Sequence, residues 1–506
     1  MMTTSPLPLL KQKKQAGIAT SIFIALIYGV FLILAVDWMH TYEFDSDEGY
    51  NVIKALMLED GFKLYNEILS DQPPVFTYIL WLTFKVFGWN VNIGRMLVIA
   101  FVSLMVFGIY DSVRRIYGYP VALGAVLFLV LSNKFTQVSV SIMLGQPSLA
   151  MVVMSGWALT VWFTQRRTTF LLISAIFMGL SVSIKMYTLF ICPISLLCII
   201  LFGENLPYRK TQKLFINQVS LWLAAITLSC LFFLLPALLS NDPMQLITSH
   251  STTLQEGKYT LGKALWKFIV NDWGLFFMSI IGLIYAIKNR NPVGVFFGLW
   301  FAFALVILFF HYPVWYHHAF LLLIPASVMA SLSVHWLTPI LTKMGLSKRK
   351  TDMVGLIAIV LIAFSPLLIN EKRAKHIIYP REYSKNRADQ KATRIINYYA
   401  GPEHTMVTSR HMMAFRTKSS VPPSLAVTSV KRYRAGLWSA ESVIEEIEKG
   451  NIELVVLNRR WKQLVRIIKG SIQEKYIRVY SDRRNRKLEI FVRKDIVAKK
   501  LPLQKK

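Results

Sequence analysis

Acidic side chains are scarce in this chain of 506 residues, where 28 Asp and Glu stand against 57 Lys and Arg. Cysteine is rarer still: Cys192, Cys198 and Cys230 all sit inside apolar stretches and none falls in a CxxC spacing. That pattern excludes a disulfide framework and a thiolate metal site, and reads the three as buried core thiols. A GxxxxGK[ST] phosphate loop, a GxSxG nucleophile elbow and an HExxH helix are also missing. Nucleotide-driven transport, serine hydrolysis and zincin proteolysis therefore lack their local signals. No repeat of fixed period and no low-complexity tract is present.

What the chain has is apolar length. With 54% hydrophobic residues and a mean hydropathy of +0.45, it is more apolar than a soluble enzyme of this size, which points to lipid as solvent. Apolar runs recur at 17–37, 94–113, 119–135, 147–164, 170–184, 187–203, 216–239, 272–288, 293–310, 319–341 and 353–370. These make about eleven candidate spans, two of them short, for a hydrocarbon core of about 30 Å. The first run is too long for a typical signal-peptide core and lacks a small-residue cleavage site, so it reads as an uncleaved helix. The expected fold is an α-helical polytopic membrane protein.

A formal net charge of +29 invites a nucleic-acid partner, but in such a chain cationic loops record orientation and contact with anionic lipid head groups. With the N-terminus cytoplasmic, the inner loops carry Lys11, Lys13 and Lys14, then Arg114–Arg115, Arg166–Arg167, Arg209–Lys210 and Lys213, Lys288 and Arg290, and Lys343 with Lys348–Lys350. That assignment works only if Pro73–Gly88, 16 apolar residues opening with two prolines, is a juxtamembrane helix rather than a span. The outer segments are then 38–93, 136–146, 240–270 and everything after about 371, in a multi-pass protein of the plasma membrane.

The tail, 371–506, is different material. Helical signals cover Asn386–Ala400 and Ser439–Lys449, and β-branched runs mark strands at Ile452–Leu457, Tyr476–Tyr480 and Leu488–Val492. A small α/β extracytoplasmic domain is the natural reading, following a membrane domain of residues 1–370. Its 32 Lys and Arg against 13 Asp and Glu leave a surplus of +19, which reads as a basic surface lying on anionic head groups, or as one that recruits an acceptor.

Eight of the acids crowd into the first outer loop: Glu43, Asp45, Asp47, Glu48, Glu59, Asp60, Glu67 and Asp71. Solubility of an outer loop explains Glu59, Asp60 and Glu67. Asp47–Glu48–Gly49–Tyr50 follows the first span directly, and a carboxylate pair there suits general-base work or cation binding. Asp71–Gln72–Pro73–Pro74 precedes an apolar helix whose start the prolines fix, which holds a carboxylate at the head-group plane. Lys185, between the runs LSVSI and MYTLFICP, is either a snorkelling lysine or a cation for a lipid phosphate. His250 stands alone in its loop as a surface histidine. His311, His317 and His318 lie in HYPVWYHH, where an aromatic interfacial belt accounts for most of the segment and a histidine metal cluster is the alternative.

The run DEGYNVIKALMLEDGFKLYNEILSDQPPVFTYILWLTFKVFG resembles the first outer loop of the GT-C glycosyltransferases, and in pattern the lipid A aminoarabinose transferases and protein O-mannosyltransferases. The lysine before a short span, the long loop with a histidine and the mixed outer tail follow in the same order. The resemblance implies transfer of a sugar from a polyprenyl-phosphate donor to an acceptor on the outer face, with no nucleotide. It implies Asp47, in its pair with Glu48, as catalytic base, and Lys185 on the donor phosphate, with Tyr50, Gln72 and Arg95 completing the substrate-binding set. Asp71 and His250 match positions that hold a divalent metal cation. Two departures stand out: Gln72 replaces a basic residue, and Gln146 an acid. The rival readings are a lipid or polysaccharide transporter, which calls for charges lining the span centres, and a scaffold of a cell-envelope complex.

Overall fold

Long runs without charge satisfy their backbone polar groups internally by coiling, the one open-chain solution available in lipid. The structure, a computed structural model, describes the chain outside residues 1–13, 133–134, 204–207, 245, 247–261, 311–313, 346, 348–349, 352, 359, 362–382, 401–403, 430–431, 434–435, 437, 459–461, 483–487 and 501–506. The membrane part begins with α1 (Lys14–Ala35), α2 (Ser46–Glu59), α3 (Val75–Phe87), α4 (Val91–Tyr117), α5 (Tyr119–Val130) and the single turn α6 (Phe135–Val138). Next come α7 (Gly145–Gln165), α8 (Thr168–Ile184), α9 (Ile191–Phe202) and α10 (Tyr208–Leu238). It continues with α11 (Lys263–Asn271), α12 (Trp273–Asn289), α13 (Pro292–Phe310), α14 (Ala319–Leu332) and α15 (Val334–Lys343).

Six of these stretches are long and apolar enough to cross a membrane, seven if α11 and α12, bent by 94° at their junction, count as one span. The expected spans at 119–135, 170–184 and 187–203 are shorter apolar helices, and most of 353–370 lies outside the described residues. Pro73–Gly88 yields α3, an apolar helix of 13 residues. The helices are held by close approach and by hydroxyl bridges, since lipid offers no hydrophobic drive between them. A Cβ on Gly282 of α12 would lie 1.6 Å from the Met329 carbonyl oxygen of α14, so only glycine lets that crossing close. Between α7 and α8, Ser148 and Ser155 bond Ser181 and Ser174 at 3.2 and 2.9 Å.

The ends of the bundle differ. At one end Asp111 accepts from Arg115 (2.6 Å), Trp157 (2.8 Å), Ser21 (2.9 Å) and Arg114, tying α1, α4 and α7 together. At the other end the expected outer segments meet at the first loop. Ile142 donates to Glu48 at 3.0 Å, Asn241 donates to Asn66 at 2.8 Å, and Tyr50 donates to the Thr428 carbonyl at 3.1 Å.

The tail comprises α16 (Tyr383–Tyr399), β1 (Thr405–Thr408), α17 (His411–Thr417), α18 (Ala440–Lys449), β2 (Ile452–Asn458), α19 (Lys462–Ile472), β3 (Tyr476–Ser481), β4 (Leu488–Arg493) and α20 (Lys494–Lys500). Its sheet runs β1-β2-β4-β3, with β1 parallel to β2 and the other pairs antiparallel. Val456 faces Ile490 across the centre, and β2 is buried along its whole length. Three strands fall where the sequence places them; β1, four residues long, carries too little pattern to be read. Ser439 caps α18, trading bonds with Ser442. The join near residue 370 lies outside the described residues, but the tail packs tightly on the first loop. Gly49 makes this contact possible: a Cβ there would come 2.7 Å from the Met412 amide nitrogen of α17.

Candidate active site

Asp45 starts α2. Its backbone is extended and its carboxylate accepts from the Asp47 amide at 3.0 Å, a helix cap that orients the first turn, while Tyr316 donates to its other oxygen at 3.0 Å. Asp47 and Glu48 then occupy the first turn, where unpaired backbone N–H groups favour negative charge. Helical phase sends the two neighbours in different directions.

Glu48 turns inward and is fully buried against Arg95 of α4. Arg95 donates Nη2 to Oε2 at 2.9 Å and Nε to Oε1 at 3.2 Å, and the amides of Phe44 and Ile142 donate at 2.7 and 3.0 Å. The remaining guanidinium nitrogen donates to the carbonyls of Trp38 and Thr41, and the Phe44 ring covers the cation 4.8 Å from its centroid. Neither side chain has any exposure, so neither reaches a substrate in this structure.

Asp47 faces the other way and is half-buried. Burial, reinforced by the negative charges of Asp45 and Asp71, pushes its carboxyl up to about 7, while Lys185 and Lys54 pull the other way. Lys185, one residue past the end of α8, has an extended backbone and holds its ammonium over the Tyr187 ring, 4.8 Å from the centroid. Asp71 sits half-buried in the turn before α3, beside two buried prolines. That turn is fixed by Tyr65, which adopts a left-handed φ of 66° and donates its hydroxyl to the Gln72 carbonyl at 2.7 Å. Gln72 itself is half-buried.

Lys54, only 1% exposed, lies within the fields of both Asp71 and Asp47. Burial lowers its proton affinity, and the two carboxylates act against that loss. From the tail, Arg432 joins the same neighbourhood: burial weakens its cationic form, while Asp71 and Tyr50 favour it. Tyr50 packs its ring against His411 of α17 at 4.9 Å between centroids, and burial raises its hydroxyl above the ordinary range. His317 lies near enough to Lys185 to feel its charge, and its buried Nδ1 has no hydrogen-bond partner among the described residues.

The expected residues Asp47, Asp71, Lys185 and Tyr50 thus share one electrostatic neighbourhood, while Glu48 and Arg95 form a sealed pair beside it. His250 lies outside the described residues. Among those described, no three His, Cys, Asp or Glu side chains gather closely enough to hold a metal ion, and Asp71 faces the cations Lys54 and Arg432. Gln146 is buried with its Nε2 donating to the Val138 carbonyl. Reasoning from sequence missed Lys54, Tyr316, His411 and Arg432, and weighed His317 only as part of a histidine metal cluster. Lys54 had a legible signal, since seven residues from Asp47 is two helical turns and returns to the same face.

A family profile described as dolichyl-phosphate-mannose-protein mannosyltransferase matches residues 71–236, a stretch that includes Asp71 and Lys185 but not Asp47. In shape the chain is similar to ArnT from Cupriavidus metallidurans bound to undecaprenyl phosphate, with a TM-score of 0.61 at 13% identity, covering 95% of this chain and 98% of that one. It is also similar to the archaeal oligosaccharyltransferase AglB from Archaeoglobus fulgidus in complex with an inhibitory peptide and a dolichol-phosphate. There the TM-score is 0.57 at 14% identity, over 92% of this chain and 73% of that one. Among curated proteins no sequence match is found. At these identities the likeness establishes the fold: a GT-C-type helical membrane domain with a small α/β domain after it.

Proposed function

We propose that this chain is a membrane glycosyltransferase that moves a sugar from a polyprenyl-phosphate-linked donor to an acceptor on the outer face of the plasma membrane. The observation that carries the reading is Asp47, a carboxylate with an affinity for protons raised to about 7, in the field of the Lys185 ammonium. A base is most effective when its pKa lies near the working pH, because it is then both ionised and willing to take a proton.

In the proposed step Asp47 removes a proton from an acceptor hydroxyl or amine. The freed lone pair attacks the anomeric carbon of the donor sugar from the face opposite the phosphate. The bond from that carbon to the phosphate oxygen breaks, its electron pair stays on the lipid phosphate, and the sugar is joined with inversion. Lys185 stabilises the charge that gathers on the departing phosphate, an effect that grows where water is excluded. Asp71 and Asp47 favour the charged form of Lys54 against the larger opposing effect of burial, and a charged Lys54 favours the ionised form of Asp47. Glu48 and Arg95 take no part in the step; their buried pair ties the start of α2 to α4.

The reading takes the N-terminus as cytoplasmic and the tail as extracytoplasmic, which puts Asp47 and Lys185 on the outer face. A transporter is less well supported, because the buried charges Arg95 and Asp111 lie towards the ends of α4 and each is engaged by partners. The test is transfer of labelled sugar from a polyprenyl-phosphate donor in proteoliposomes. Asp47→Asn is expected to abolish it while membrane insertion and melting stay unchanged; retained transfer would remove the reading.

A further inference from the structure

The helix α16 has two faces with different work. Its inner face is tied to the stretch that leads into α2. Thr393 bonds the buried Tyr42 hydroxyl at 2.7 Å, and Asp389 pairs at 3.0 Å with Arg410, which pairs at 3.0 Å with Glu43. The outer face presents Arg387, Lys391, Arg394 and Tyr398, spaced by four, three and four residues and so aligned in one stripe. All four are exposed. The nearest acid on the helix, Asp389, is turned inward to Arg410 and leaves the stripe uncompensated on its own helix.

Across from the stripe stands β3, the edge strand of the tail's sheet. Between them is an open groove of about 770 Å³ with Ile395 and Val479 as its apolar lining and Tyr398 and Tyr399 at one end. Lys391 sits over the Tyr480 ring at 5.8 Å, and Lys500 over Tyr398 at 5.6 Å.

We infer that this groove binds an acidic oligosaccharide, a chain of sugar rings bearing carboxylate or phosphate groups, and holds it as the acceptor of the proposed transfer. The inference rests on that proposal for its purpose, but not for the binding itself. Guanidinium groups match carboxylate and phosphate oxygens in paired hydrogen bonds, which favours Arg387 and Arg394 as anion contacts. Tyrosine rings offer flat apolar faces with a polar edge, suited to a sugar's C–H face and hydroxyls. The cavity volume falls in the range of about 300–1,000 Å³ typical of small-ligand sites. A flat sheet of lipid head groups would meet the exposed stripe but would not fill a concave groove. Binding there raises the acceptor's concentration near Asp47, because α16 is bonded directly to the loop that carries it.

The experiment uses full-length protein with Asp47→Asn in nanodiscs of neutral lipid, so that binding is read without transfer. The probes are fluorescent hexagalacturonate and mannopentaose phosphate, with neutral maltohexaose as control. The structure expects at least one acidic probe to bind, to weaken with salt, and to lose about tenfold or more in affinity on Arg387→Glu with Arg394→Glu. Maltohexaose is expected not to bind measurably. Absence of binding by both acidic probes, equal binding of maltohexaose, or unchanged affinity in the double variant would overturn the inference. So would a double variant that loses attachment to phosphatidylglycerol vesicles while keeping the oligosaccharides. Failure of transfer in otherwise native protein would count against the proposed function and leave this binding result standing.

Discussion

Asp47 and Glu48 are neighbours in sequence and opposites in the fold. Glu48 is fully buried and accepts four hydrogen bonds, two of them from a single guanidinium. Asp47 is half-buried, and there burial and two like charges oppose its ionisation while two ammonium groups favour it. Both sites remove a carboxylate from bulk water. One repays the loss with fixed partners and becomes structural; the other leaves the loss partly unpaid and becomes a base with a proton affinity near neutrality. The difference lies in partner geometry, since burial alone is common to both.

The comparison breaks most visibly at Glu48. Glu48→Ala leaves the Arg95 guanidinium buried without its counter-ion, which costs about 3–5 kcal/mol. A large fall in melting temperature and in the yield of folded protein is expected, with transfer per folded molecule largely kept. Replacing both partners, Glu48→Leu with Arg95→Met, should recover most of that stability, because no charge is then stranded. If Glu48→Ala melted like the parent and only lost activity, the two carboxylates would have exchanged roles.

Lys185→Ala tests the cation beside Asp47. Removing a preorganised charge from a departing group typically lowers turnover by about 10²–10³. Melting should hardly change, since Lys185 is half-buried at the end of a helix. A variant with normal turnover and a raised KM for the donor would reduce Lys185 to a binding contact.

The pH profile comes next in size. Asp47 works as a base in its ionised form, and its carboxyl lies near 7, well above the ordinary carboxylate range. Transfer should therefore fall as pH drops through 7, by about tenfold per unit once the acid form dominates. A rate flat from pH 5 to 8 would contradict the raised affinity. The smallest effect belongs to Lys54→Met. Lys54 favours the ionised form of Asp47, so its loss should move the midpoint of the profile to higher pH, with less than about a tenfold change at pH 7. A shift to lower pH would mean the Lys54 charge does not act on Asp47.

Much of this was readable before any coordinates. Apolar runs give helices with little ambiguity, and the positive-inside bias gathered the outer segments that do meet at the first loop. Asp47, Asp71 and Lys185 were legible because each stands at an element boundary in a distinctive local run. The sequence reading put Glu48 with Asp47 in the chemistry and Arg95 on the substrate, whereas in the structure the two are paired with each other and fully buried. Adjacency in sequence says nothing about which face of a helix a residue takes, and their pairing spans 47 residues. Arg432 and His411 were out of reach for a similar reason: Tyr50 meets the tail across 378 residues. Tyr316 was hidden in a run whose aromatic content already had an explanation.

The most direct measurement sets the two neighbours side by side. Asp47→Asn and Glu48→Gln are reconstituted with a labelled polyprenyl-phosphate sugar, and transfer is normalised to folded protein. The account expects Asp47→Asn to melt like the parent with no detectable transfer, and Glu48→Gln to melt lower with transfer retained in the folded fraction. Transfer surviving in Asp47→Asn, or vanishing in a Glu48→Gln protein of undiminished stability, would contradict it.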